Sequence, residues 1–240
     1  MSAALDVVLR NGRVHGIGDE RALDIGIRAG QIAEIAPHIA SDARAIDLKG
    51  RLVCGGFIET HIHLDKACIL DRCGHSETLS QAIAKVAQLK REFTTQDVYE
   101  RGRKVLEKAI VQGTTRMRTH VEVDTRVDLR SFEAILQLKK DYAWAVDLEI
   151  CVFPQEGLLN DPGADELLVE TLEHGADVIG GCPYTDTNPN GQIARIFELA
   201  RRYDVDIDFH LDFDLDTTSM SLLEVCRQAE ATRYGGRVAI

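Results

Sequence analysis

The stretch Gly55-Gly56-Phe57-Ile58-Glu59-Thr60-His61-Ile62-His63-Leu64-Asp65-Lys66 decides how the rest of the chain is read. An apolar run leaves a Gly-Gly turn and then alternates, which predicts a β-strand over 57–65. Alternate residues of a strand share a face, so His61, His63 and Asp65 turn one way while Ile62 and Leu64 turn the other. Two imidazoles at a strand end supply half of a metal site, and imidazole suits both zinc and iron. Two surface histidines beside a turn give the same H-x-H spacing, so the pair takes its meaning from its surroundings.

Downstream, apolar strands alternate with amphipathic helices. Strands are predicted over 115–123, 147–153, 176–183 and 205–211, with a sixth starting at Arg237. Thr95 is placed to cap a helix with an apolar face of Val98, Val105, Leu106, Ala109 and Ile110, and Gly113 stops it. A second helix covers 165–174 and is closed by Gly175; Ile193, Ile196, Phe197 and Ala200 form the buried stripe of a third. This alternation specifies an α/β fold with a parallel sheet and crossover helices, either a closed barrel or an open doubly wound sheet. No G-x-G-x-x-G follows a strand, which argues against dinucleotide binding. Upstream, short strands are predicted over 6–10, 23–27, 31–35 and 51–54, with Asn11-Gly12 as a hairpin signal and Ala29-Gly30 and Lys49-Gly50 as turns. The chain thus divides into a small β-unit, residues 1–54, and an α/β part, residues 55–240.

His210 ends the fifth strand of the α/β part, in Asp206-Ile207-Asp208-Phe209-His210. Catalytic residues of barrels come from the C-terminal ends of different strands, so His210 is placed to meet His61 and His63. Three histidines with one open position can bind a divalent metal and bring the pKa of bound water toward about 7. His120, ending the second strand, reads either as lining a substrate pocket or as a buried histidine with a backbone partner. Gln155, after the third strand, carries donors and an acceptor for a ring amide edge, and reads equally as a solvated loop residue.

Lys plus Arg number 28 against 39 for Asp plus Glu, a formal charge of −11. No basic stretch exists to neutralise phosphates, which excludes nucleic acid and anionic membranes as expected partners. No apolar run could span a bilayer, and Asp6 stands where a secretory signal carries basic and then apolar residues. Six cysteines with no C-x-x-C spacing read as free thiols of a cytoplasmic protein.

The segment Gly55–Lys66, then Arg118-Thr119-His120-Val121, Phe153-Pro154-Gln155-Glu156-Gly157 and Asp208-Phe209-His210 together resemble the amidohydrolase superfamily. The branch they resemble is the cytosine deaminase-like one, which includes N-isopropylammelide amidohydrolases. The resemblance implies a (β/α)8 TIM-type barrel, of which this sequence holds about strands 1–6, flanked by a β-sandwich whose N-terminal half is residues 1–54. It implies one divalent metal ion, Zn2+ or Fe2+, held by His61, His63, His210 and an aspartate of the eighth strand, with Gln155 on the substrate ring amide. The implied reaction is hydrolytic deamination of an amino-substituted cyclic nitrogen compound by activated water. The implied partner is therefore a small heterocycle, and homo-oligomerisation stays open. Release of an N-alkylamine from a triazine-like ring, an inactive paralogue and a metal-free open-sheet binding protein are the alternatives. The fourth strand, 176–182, lacks the lysine that bridges two metals in some branches, which favours a single ion.

Two departures stand out. Cytosine deaminases carry a proton-shuttling glutamate three residues after the fifth-strand histidine, where this chain has Phe213. Phenylalanine transfers no proton, which argues against cytosine itself as substrate. Asp212, Asp214 and Lys66 become the candidates for the catalytic acid–base role. A barrel of this type takes about 250 residues on its own, so the chain is expected to be a fragment of a longer protein. Taken alone, with open strand edges, it is expected to aggregate and to be inactive.

Overall fold

The computed structural model describes residues 4–17, 21–213 and 217–240. The chain forms two compact units, Met1–Gly56 and Phe57–Ile240. The first is a mixed sheet of β1 (Val7–Val14), β2 (Leu23–Arg28), β3 (Gln31–Ala36), β4 (Arg44–Asp47) and β5 (Leu52–Val53). Its order is β3-β2-β1-β4, with β5 also pairing β1. Ala29 and Gly30 have φ of 49° and 73°, the left-handed pair that a two-residue hairpin turn requires.

Asn11-Gly12 corrects the hairpin expectation. The chain does not reverse there; β1 runs through the pair as a bulge, with Asn11 at φ 56°. Before the bulge β1 pairs with β4, up to Arg10 opposite Asp47, and after it with β5, from Arg13 opposite Leu52. The buried Asp24 carboxylate holds this geometry by accepting from Asn11 N at 3.1 Å, Arg10 Nη1 at 2.7 Å and Ile39 N at 3.1 Å. β4 had no sequence signature because all four of its residues are exposed, so no apolar alternation marks it.

The second unit runs β6 (Phe57–Ile62), α1 (Leu70–Cys73), α2 (Leu79–Leu89), α3 (Thr95–Val111), β7 (Thr114–Glu122), α4 (Arg130–Asp141), β8 (Asp147–Phe153), α5 (Ala164–Glu173), β9 (Val178–Gly181), α6 (Pro189–Tyr203), β10 (Asp206–Phe209), α7 (Leu222–Thr232) and β11 (Val238–Ala239). Short 3-10 turns cover Lys90–Glu92 and Pro183–Thr185. The six strands are parallel and lie in sequence order from β6 to β11, curling into an incomplete barrel. Each crossover helix lays an apolar stripe on the sheet. In α6 the stripe is Ile193, Ile196, Phe197 and Ala200, all essentially inaccessible. In α3 it centres on Val98 and Leu106, and the helix is capped by Thr94, whose Oγ1 accepts Asp97 N at 3.1 Å, one residue before the expected Thr95. Among the described residues no helix is long and apolar enough to cross a membrane.

β6 is shorter than predicted. It ends at Ile62, because Leu64 N donates to the Thr119 side chain at 3.1 Å instead of continuing the ladder. His63 therefore stands just beyond the strand and Asp65 within a turn, where its carboxylate accepts Glu122 N at 3.0 Å. Between the two edge strands, β6 and β11, a cleft of about 520 Å³ is lined by Ile58, His61, Arg118, Asp208 and Ile240 among others.

β9 pairs with β10 through Gly180 opposite Asp208, and a Cβ at Gly180 would fall inside contact distance of the Asp208 carbonyl oxygen. Gly180→Ala is therefore expected to cost about 1–3 kcal/mol in urea denaturation. Gly235→Ala, at an exposed site with nothing within 4 Å of the new Cβ, should stay within about 0.5 kcal/mol of the parent. Equal midpoints for the two variants would contradict this account of the β9–β10 contact.

Candidate metal centre

The C-terminal ends of the barrel strands carry nearly all the polar residues singled out from sequence. β6 delivers His61 and His63, the end of β7 delivers His120 and Glu122, and β10 delivers Asp208 and then His210. His61, His63 and His210 converge: each offers a ring nitrogen, and these atoms all lie within 4.8 Å of one another. His63 Nε2 and His210 Nε2 are 3.3 Å apart. Two neutral imidazole nitrogens face each other at that distance only if a proton or a cation lies between them. Two nitrogens each bound to a tetrahedral Zn2+ at about 2.0–2.1 Å are themselves separated by about 3.3–3.4 Å.

The surroundings favour neutral rings with free lone pairs. Burial pushes His63 down to about 2 and His210 down to about 3, and the neighbouring imidazoles and the Lys66 ammonium add to both shifts. His63 Nδ1 is 3.2 Å from the His120 carbonyl oxygen, so a proton on Nδ1 donates there and leaves Nε2 as the ligating atom. His210 Nδ1 is buried without a hydrogen-bond partner. The donor set thus fits a divalent cation. Two further clusters of donors are already neutralised. His61, His120 and Asp208 form one, but Asp208 Oδ2 accepts Arg118 Nη1 at 2.8 Å. Glu122, Asp124 and Glu156 form the other, and the buried Lys90 ammonium sits among them.

His120 is fully buried, its ring stacked on His61 at a centroid distance of 4.0 Å. Gln155 is buried and its Nε2 donates to the Tyr184 hydroxyl at 3.3 Å. Lys66 pairs with Glu122 and lies 5.7 Å from the centre of the Phe153 ring. Burial works against the Lys66 charge, but Glu122 and Asp65 outweigh it and raise its pKa. Burial also works against a charged Glu122, and Lys66 and Lys90 outweigh it and hold that carboxyl low. Asp212 is engaged elsewhere: its carboxylate accepts Ser221 N at 2.8 Å and Leu222 N at 3.1 Å, anchoring the start of α7. Asp214 lies outside the described residues. Phe213 is half exposed, its ring 5.3 Å from that of Tyr184 and 6.4 Å from that of His210. Sequence reasoning missed Asp208, although its place two residues before His210 on one strand puts it on the same face. It also missed Lys90, Glu122 and Tyr184; Lys90 meets its partners across 32 or more positions, and no periodicity marks such a pairing.

The two histidines give stability a pH dependence of known sign. In the unfolded chain they take a proton near 6.5, whereas in the folded chain they stay neutral down to about 2 and 3. The unfolded state binds more protons in between, so stability falls as the pH drops below about 6.5, by up to about 1.4 kcal/mol per pH unit for each ring. Metal-free protein is expected to lose stability from pH 7.5 to pH 5.5. The double variant His63→Gln/His210→Gln should lose at least about 1 kcal/mol less over that interval. Equal losses in urea denaturation would refute the assignment.

The amidohydrolase family matches residues 52–231. The N-isopropylammelide isopropyl amidohydrolase of Pseudomonas sp. is 30% identical over 99% of this chain and 61% of its own length. The 5-methylcytosine deaminase of Klebsiella pneumoniae, solved with 5-fluorocytosine, superposes with a TM-score of 0.87 at 31% identity, covering 96% of this chain and 57% of that one. The N-isopropylammelide isopropylaminohydrolase of Burkholderia multivorans gives a TM-score of 0.81 at 28% identity, covering 97% and 59%. The chain therefore spans about three fifths of the length of these relatives, which are hydrolases of carbon–nitrogen bonds. With its curled parallel sheet and its strand-end histidines, this chain belongs to the amidohydrolase family.

Proposed function

We propose that the protein hydrolyses an exocyclic carbon–nitrogen bond of a nitrogen heterocycle at a single divalent metal, Zn2+ or Fe2+, held by His61, His63 and His210. The observation that carries this reading is the convergence of three imidazoles from two distant strand ends, with two of their nitrogens 3.3 Å apart. The bound metal supplies activation of water, whose pKa it brings toward about 7.

The chain's own residues then divide the remaining work. Gln155 presents an amide to the amide edge of the ring and fixes its orientation. The Lys66 ammonium, kept charged by Glu122, is an electrostatic stabiliser of negative charge growing on the ring and not a proton acceptor. His120 forms a rigid wall behind His61. Asp212 is occupied with α7, so of the candidates read from sequence Asp214 is the one left to take up the proton released by the attacking water and pass it to the leaving amine. Phe213 and Tyr184 form an apolar flank beside His210. That flank favours a leaving amine or ring with an alkyl substituent, so release of an alkylamine is the second reading we carry. All six cysteines are unpaired, which supports a reducing, cytoplasmic setting.

The test uses the whole protein loaded with Zn2+ or Fe2+ and a panel of amino- and alkylamino-substituted pyrimidines, triazines and pterins, with assays for both ammonia and alkylamine. His63→Ala and His210→Ala are expected to lose most of the bound metal by elemental analysis and about three or more powers of ten in rate. Full metal content and activity in both variants would defeat the proposal.

A further inference from the structure

Lys90 is the largest fully buried side chain of the molecule's described residues, at 1% exposure, and nothing in the proposed chemistry uses it. It stands on the 3-10 turn after α2 and pairs with Glu122 Oε2 at 2.9 Å, Glu156 Oε1 at 2.9 Å and Asp124. Its three partners differ in what else holds them. Asp124 also accepts the backbone N–H of Arg126 at 2.8 Å and of Val127 at 3.2 Å. Glu122 is shared with Lys66. For Glu156, Lys90 is the ion-pair partner among the described residues.

Glu156 follows Gln155 in a tight turn. Gly157 N donates to the Pro154 carbonyl at 3.2 Å, and Gly157 takes a left-handed φ of 96°. Gln155 and Glu156 are therefore the two central residues of one four-residue turn. The turn is pinned at both: Gln155 Nε2 donates to the Tyr184 hydroxyl at 3.3 Å, and Glu156 is tied to Lys90. Further along, Asn160 Nδ2 donates to the Glu156 carbonyl at 3.1 Å and the Asp186 carboxylate accepts Leu158 N and Leu159 N at 2.7 and 2.9 Å, so the backbone after the turn is held independently and the Lys90 ion pair is the restraint that acts through the Glu156 side chain.

We propose that Lys90 is a positioning residue that, through Glu156, sets the orientation of the Gln155 amide. The proposal rests on the reading of Gln155 as the group that orients the substrate ring. It makes Lys90 a determinant of substrate binding that touches neither substrate nor metal.

The experiment compares Lys90→Met, Glu156→Gln and their combination in the whole protein. Each single variant is expected to raise KM for the ring substrate about tenfold while kcat stays within about threefold and metal content is unchanged. The double variant should be no worse than the worse single one, because both remove the same pair. Lys90→Met leaves Asp124 and Glu156 without this cation and Glu122 with Lys66 alone. If it fails to fold, Glu156→Gln, which keeps side-chain volume at a site with 15% side-chain exposure, decides the question alone. Hydrogen exchange of the amides at 155–159 supplies a readout independent of turnover: it should speed up in Glu156→Gln while the exchange of β1–β5 stays the same. That arm decides whether Lys90 holds the turn even if the wild-type protein hydrolyses none of the ring substrates, a result that would sink the proposed function and leave Lys90 as a restraint on the 154–157 turn alone. An unchanged KM in a folded variant, additive effects, or unaltered exchange at 155–159 would overturn the inference.

Discussion

The 3.3 Å separation between His63 Nε2 and His210 Nε2 is the constraint on which the site depends. The two atoms belong to residues 147 positions apart. Nothing local brings them together. Their meeting requires five strands, β6 to β10, paired in parallel and in sequence order, and a curl that turns the ends of the first and last toward a common centre. Each crossover helix contributes by burying one stripe on the sheet, so the apolar surface of α3, α4, α5 and α6 is in effect what sets the distance between two polar nitrogens.

Much of this is legible from the sequence, for a definable reason. Period-two alternation places His61 on one face of a strand, and strand–helix alternation predicts the parallel sheet, because both depend on backbone geometry that any sequence must obey. The stripe of α6 was readable down to the individual residue for the same reason. Other features depend on partners that no period reveals. Asn11-Gly12 has the composition of a hairpin turn, yet Asp24 claims the Asn11 amide and turns the pair into a bulge. The strand expected to reach Asp65 stops at Ile62 because a threonine side chain from β7 captures the next amide. Asp212 looked like a spare carboxylate beside the metal ligand, but the first amides of α7 occupy it. In the first two cases a side chain distant in sequence takes a backbone amide from the regular ladder, and in the third the start of a helix claims the carboxylate.

The electrostatic design separates two tasks. The imidazoles are kept neutral by burial and by nearby positive charge, which preserves their lone pairs. Beneath them Glu122 is kept ionised by two ammonium groups and links Lys66 at the mouth to Lys90 in the interior. Asp65, buried beside Glu122, is pushed the other way, upward from the usual carboxylate range. Two carboxyls in one pocket are thus shifted in opposite directions, Asp65 up to about 6 by burial and the Glu122 charge, Glu122 down by Lys66 and Lys90.

Lys90 fills the centre of three carboxylates, a position that in many proteins would attract a calcium or magnesium ion. A charge carried on the polypeptide cannot be stripped by a chelator, diluted away or exchanged for a competing ion. The charge balance of the acidic cluster is therefore independent of the supply of inorganic ions.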